Sequence, residues 1–277
     1  MKLSARDLVF DVTVGGSARD RHAPVLLLHG FPQNASEWDR VAPALHADGR
    51  ATIAPDQRGY SPGARPADVA DYRMVECVAD IVAMLDGLDA NKVDVVGHDW
   101  GALVAWHLAA EHPDRVRTLT AISVAHPAAM SDAIAIDPDQ QQRSAYIKLF
   151  RQPGKAEDVL LENNGARLRA MFGGCPSELV DGYVAPMLDR AALTAALNWY
   201  RAMSRDTPEC PPVTVPTTFV WGDGDIAIGP TAAKACANHV TGDYAFVPLT
   251  GVSHWVADEV PDILAEIILE RLRRPAD

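Results

Sequence analysis

Short apolar runs separated by amphipathic stretches dominate the first part of the chain. Pro24–Leu28 and Ala51–Pro55 are continuous apolar runs, as expected of strands buried on both faces of a parallel sheet. Val93–Val96 and Val116–Val124 add two more strands. Leu8–Val14 instead alternates apolar and polar positions, like a strand at an exposed edge, and Gly15-Gly16 turns it. Helical spacing marks Trp38–Leu45, Met74–Leu85 and Ala102–Glu111 between the strands. Strand-helix alternation of this kind predicts a mostly parallel α/β sheet with right-handed crossovers.

The pattern changes after His126-Pro127. From about residue 128 to 212 the periodicity is helical, with helices expected over Gln141–Phe150, Ala156–Met171, Ser177–Leu188 and Ala191–Met203. Pro208–Pro212 closes this block. Strands resume at Thr217–Gly222 and Tyr244–Leu249, and a last helix runs from Pro261 to about Arg273. The expected organisation is therefore an α/β core (1–127 and 213–277) interrupted by a helical cap (128–212). Such insertions commonly lie over a pocket and exclude water from it.

One turn carries the chemistry. Gly97-His98-Asp99-Trp100-Gly101 sits between the Val93–Val96 strand and the helix that follows. Strand, Gly-x-Asp-x-Gly, helix is the layout of the nucleophile elbow of α/β-hydrolases, with aspartate where serine usually stands. Alone, such a string is also a common helix-capping turn. As a nucleophile, a carboxylate suits saturated carbon bearing a leaving group, and it yields an alkyl ester that water can cleave.

The second step needs a histidine oriented by a carboxylate, in the chain order nucleophile, acid, histidine. Gly222-Asp223-Gly224-Asp225 and Gly251-Val252-Ser253-His254-Trp255 follow the two late strands, where α/β sheets place their sites. His254 is the candidate base. Asp225 is the candidate acid, with Asp223 as the alternative, since spacing separates the two only weakly. The oxyanion donors expected are the backbone N–H groups of Trp100, after the nucleophile, and Phe31, in His29-Gly30-Phe31-Pro32.

His29-Gly30-Phe31-Pro32, Asp56-Gln57-Arg58-Gly59-Tyr60-Ser61 and Gly97–Gly101 together resemble the α/β-hydrolase-fold epoxide hydrolases. The likeness runs from about Pro24 to the C-terminal helix. In that family two cap tyrosines hold and protonate the epoxide oxygen. The resemblance implies Tyr200, within Leu197-Asn198-Trp199-Tyr200-Arg201, and Tyr146, within Tyr146–Gly154, where Phe150, Pro153 and Gly154 are in register. The family's Trp-Gly-x-x-Asp is matched at Trp221–Asp225 and favours Asp225. Tyr183 lies in the cap but matches no motif. Gln33–Glu37 carries fewer aromatics than many members do, and Ser61–Pro66 is unusually rich in proline.

The family implies hydrolysis of an epoxide to a vicinal diol, with water as co-substrate and no cofactor or metal. A haloalkane dehalogenase would share the Asp-His-Asp set, but such enzymes usually need a second halide donor. The side chain at Phe31 cannot donate. A non-catalytic ligand-binding protein on the same fold is a further alternative.

Composition narrows the rest. With 277 residues and 48% hydrophobic content, one large domain with an insertion is expected. The net charge of -12 and the lack of a Lys/Arg cluster argue against nucleic acid and anionic membranes as partners. Cys77, Cys175, Cys210 and Cys236 are scattered and lack metal-ligand spacing, which fits free thiols in a reducing cytoplasm. No apolar run reaches transmembrane length, and Met1–Asp7 lacks the apolar core of a signal peptide. A homodimer is compatible with the sequence.

Overall fold

A computed structural model describes residues 1–17, 22–203 and 209–274. Eight strands form one sheet: β1 (Lys2–Ala5), β2 (Leu8–Gly15), β3 (Val25–Leu28), β4 (Thr52–Pro55), β5 (Val93–His98), β6 (Val116–Ile122), β7 (Thr217–Gly222) and β8 (Tyr244–Leu249). Their order is β1-β2-β4-β3-β5-β6-β7-β8. The strands from β4 to β8 in that order are parallel, while β1 and β2 pair antiparallel.

The alternating strand β2 is therefore not at the edge, contrary to its pattern. It lies between β1 and β4, and the four-residue β1 is too short to announce itself in sequence. In contrast, β3 and β4 are buried along their whole length, as uninterrupted apolar runs require.

Core helices before the cap are α1 (Ala42–Ala47), α2 (Met74–Gly87) and α3 (Trp100–Glu111). Between β6 and β7, over the segment expected to form the cap, lie α4 (Pro127–Ile136), α5 (Pro138–Arg143), α6 (Ile147–Phe150), α7 (Lys155–Ala170), α8 (Ser177–Met187) and α9 (Arg190–Ala202). Short α10 (Pro230–Ala235) and α11 (Val256–Glu259) precede the C-terminal α12 (Pro261–Arg273). Leu45 of α1 and Leu264, Ile268 and Leu272 of α12 pack on one face of the sheet. Residues of α2, α3 and the cap join a larger core on the other.

Two expected cap helices are broken. Gln141–Phe150 divides into α5, a 3-10 turn at Ser144–Tyr146 and α6. Within α7, Glu162 is extended and Asn163, Asn164 and Gly165 are left-handed, with φ of 49°, 56° and 76°. Asparagine and glycine are the residues that tolerate this region best, so a helical spacing of apolar positions conceals the break. Pro208, at the start of the stretch expected to close the cap, lies outside the described residues.

Candidate active site

The elbow is built by close backbone packing. Asp99 follows β5 directly with φ 51° and ψ -117°, and α3 begins at the next residue. A Cβ on Gly97 would lie 2.3 Å from the Gly101 carbonyl oxygen, and one on Gly101 would lie 2.1 Å from that of Leu28. Only glycine permits these approaches. Asp99's left-handed backbone is a strain of about 1–3 kcal/mol, of the kind that concentrates at functional sites.

The Asp99 carboxylate has two distinct sides. Its Oδ1 accepts from the Phe31 N–H at 2.8 Å. Its Oδ2 lies 3.5 Å from His254 Nε2. On the far side of that ring, Nδ1 lies 2.8 Å from Asp225 Oδ2. Asp225 is fully buried, and its other oxygen accepts from the Ala227 and Ile228 N–H groups at 2.7 and 2.9 Å. Asp223 instead accepts from the Gly251 N–H at 2.7 Å, as a turn residue does, and does not contact His254. Of the two carboxylates that spacing left open, the structure brings Asp225 to the histidine.

Burial alone would depress His254, but the Asp225 and Asp99 carboxylates outweigh it and hold it up at about 10. Burial would raise Asp99, and this is overcome by His254, His98 and the Phe31 N–H, so the carboxyl stays below its ordinary range. Both shifts favour an imidazolium beside an ionised carboxylate.

Behind the histidine is a support to which no motif assigns a role, although His98 itself stands in the elbow. The His254 carbonyl accepts from His98 Nε2 at 2.9 Å and from Ser123 Oγ at 2.8 Å. His98 Nδ1 lies 2.8 Å from Glu37 Oε1, and Glu37 Oε2 accepts from the Gly30 N–H at 3.3 Å. Both nitrogens of His98 face acceptors, an arrangement that favours the protonated ring. Burial opposes that charge, and the Glu37 carboxylate prevails and raises the His98 pKa.

The cap anchors the acid loop. Gln140 of α5 donates to the Ala227 carbonyl at 2.8 Å and accepts from the Gly229 N–H at 2.8 Å, while Arg143 donates to the Asp225 carbonyl. On the other side, Tyr183 of α8 donates to Asp258 Oδ1 at 2.8 Å, and Gln33 donates to Oδ2 at 2.8 Å.

Asp99 and His254 open into a cavity of about 250 Å³ that is also lined by Phe31, Tyr146, Tyr200 and Trp255. Its walls are otherwise mainly apolar. The Tyr146 and Tyr200 rings stand 6.2 Å apart, and Tyr200 packs edge-on to Phe31 and Trp100 at 5.4 and 4.9 Å. Burial chiefly pushes both phenols above their ordinary pKa; the Asp99 charge adds to it at Tyr146, and Tyr146 and then Asp99 add to it at Tyr200. Both stay protonated and able to donate. Tyr183 does not line this cavity. No group of residues suited to hold a metal ion occurs among the described residues. Nor is any described helix long and apolar enough to cross a membrane.

Residues 23–260 match the α/β hydrolase fold family, and the chain belongs to it. Within that family it groups with the epoxide hydrolases. It is 32% identical over 296 residues to epoxide hydrolase A of Mycobacterium tuberculosis, covering 90% of each chain. It is 35% identical over 269 residues to the AB hydrolase superfamily protein YfhM of Bacillus subtilis, covering 94% of this chain and 93% of that one. The crystal structure of epoxide hydrolase A from Mycobacterium thermoresistibile superposes with a TM-score of 0.86 at 27% identity, over 100% of this chain and 99% of that one.

Proposed function

We propose that this protein is an epoxide hydrolase that converts its substrate to a vicinal diol through a covalent ester on Asp99. The observation that carries this is the placement of two protonated phenols, Tyr146 and Tyr200, in one cavity with an ionised aspartate on a nucleophile elbow.

Asp99 Oδ2 attacks one ring carbon, and the bond from that carbon to the ring oxygen breaks. The oxygen takes a proton from a phenol, which avoids expelling a free alkoxide. The imidazolium of His254 gives its proton to that phenolate, so the step ends with a neutral phenol and a neutral His254. Once Asp99 is esterified, one of the two carboxylates that hold His254 charged is gone, so its pKa falls.

Neutral His254, still held by Asp225, then takes a proton from water. The hydroxide attacks the ester carbonyl, and the oxyanion forms at Oδ1, against the Phe31 N–H, with the Trp100 N–H as the second donor that an elbow supplies. Each such donor contributes about 10²–10³ in rate. Collapse expels the diol, returns Asp99 as carboxylate and leaves the proton on His254.

A single-turnover reaction in H₂¹⁸O with styrene oxide tests this sequence. The first diol should carry no ¹⁸O, and the Asp99 peptide should gain it. Label in the first diol with none in Asp99 would mean direct attack by water, and the covalent route would be wrong.

A further inference from the structure

Besides Asp99 and His254, one charged side chain lines the cavity: Arg167, in the second half of α7. Arg167 is exposed, and it forms no ion pair or hydrogen bond with the described residues. Neighbouring cations are committed: Arg169 pairs with Asp181, Arg190 with Asp158, and Arg201 with Glu157. Ile226, next to Asp225, also lines the cavity and is 62% exposed. Arg167 and Ile226 therefore belong to the rim, where the pocket meets solvent.

The placement of Arg167 is built into the cap. The left-handed run Asn163–Gly165 breaks α7 just before it. Gly165 is buried where a Cβ would lie 2.9 Å from Leu188 and 3.1 Å from Val184. Leu168 is fully buried and Met171 lines the cavity, so the turn carrying Arg167 is fixed on its inner side.

We infer that Arg167 is a specificity residue that receives a carboxylate on the substrate, so that the preferred epoxides have an apolar body ending in an anionic group. This inference rests on the proposed epoxide hydrolysis. The cavity, at about 250 Å³, is below the ~300 Å³ at which pockets begin to enclose drug-sized ligands. A longer substrate must extend past the rim. Its anion cannot lie inward, where it would meet the Asp99 carboxylate. With the epoxide at Asp99, the apolar body runs between Leu149, Leu160 and Met171, and the far end emerges beside Arg167. The chain's net charge of -12 opposes anions at long range, but that field is screened beyond about 8 Å at physiological salt. At contact distance the guanidinium decides, and it offers a planar fork suited to a carboxylate.

The test compares ω-epoxy carboxylates of increasing methylene number with their methyl esters, on wild-type enzyme and on R167Q, R167E and R167K. Wild type should favour the acid over the ester at one chain length. The acid-to-ester ratio of kcat/KM should fall about five- to tenfold in R167Q, invert in R167E and survive in R167K. The loss should appear in KM, because a rim contact is made equally in ground and transition states. A ratio that is the same in wild type, R167Q and R167E at every chain length would overturn the assignment while leaving epoxide hydrolysis intact. Wild type that hydrolyses neither the esters nor compact styrene oxide would instead overturn the proposed function, and this inference with it.

Discussion

His254 Nε2 stands 3.5 Å from the Asp99 carboxylate, whereas its Nδ1 stands 2.8 Å from Asp225. The short contact fixes the ring. The longer one leaves the nucleophile free to leave its partner. In the proposed mechanism, esterifying Asp99 removes the looser of the two anions, and the histidine becomes a base only after the first bond has formed.

That dependence sets a pH response. Imidazolium is the form that supplies a proton in the first step, so the rate of ester formation should fall as pH rises through about 10. D225N removes the charge that contributes most to holding the ring protonated, and should move that fall to lower pH. Stopped-flow tryptophan fluorescence against pH measures it. An unshifted limb in D225N would contradict the coupling.

In the proposed mechanism the phenols act in ester formation. Y200F and Y146F should each slow that step by about ten- to hundredfold, as expected when one of two proton donors is lost from general acid catalysis. Hydrolysis of a preformed ester should change far less. Rapid-quench measurement of the two phases separates them, and equal losses in both would assign the tyrosines to packing.

Asp258 predicts an unusual stability profile. Burial, aided by the Glu37 charge, pushes its carboxyl up from 3.8 to about 7. The folded protein holds that proton to higher pH than the unfolded chain, so stability falls as pH rises from 3.8 to 7. D258N cannot titrate, and the unpartnered Gln33 Oε1 could accept from its amide after a flip of the Gln33 side chain. Urea midpoints across that window should slope less in D258N than in wild type. Parallel slopes would show that Asp258 ionises normally.

The elbow tolerates no side chain at its second glycine. G101A places a methyl 2.1 Å from the Leu28 carbonyl. A cost of about 1–3 kcal/mol for overpacking corresponds to a Tm lowered by roughly 2–12 °C in a chain of this size. Calorimetry checks this, and an unchanged Tm would mean that the β5–α3 turn can relax.

Much of this architecture is legible locally. The β7 and α12 boundaries follow from apolar runs and spacing alone, as does the strand–Asp99–helix turn. Asp225 and His254 are readable because each follows a strand in the expected order. Glu37, His98, Ser123 and Asp258 are not, because their partners lie far along the chain. Ser123 meets His254 across 131 positions and Gln33 meets Asp258 across 225. Nothing in a local pattern reports such a pairing. The break in α7 is hidden for a different reason. Leu160, Leu168 and Met171 keep a helical spacing on either side of Asn163–Gly165, so periodicity runs on where the backbone does not.

The central claim is that Asp99 forms a covalent ester that only His254 can discharge. Intact-mass spectrometry of H254Q after separate incubation with styrene oxide and with haloalkanes tests it most directly. The predicted result is a stable adduct equal to the whole epoxide mass, mapped to the Asp99 peptide. Diol formation at the wild-type rate with no adduct would contradict it. So would a mutant alkylated only by haloalkanes with loss of halide, an outcome that would make the enzyme a dehalogenase.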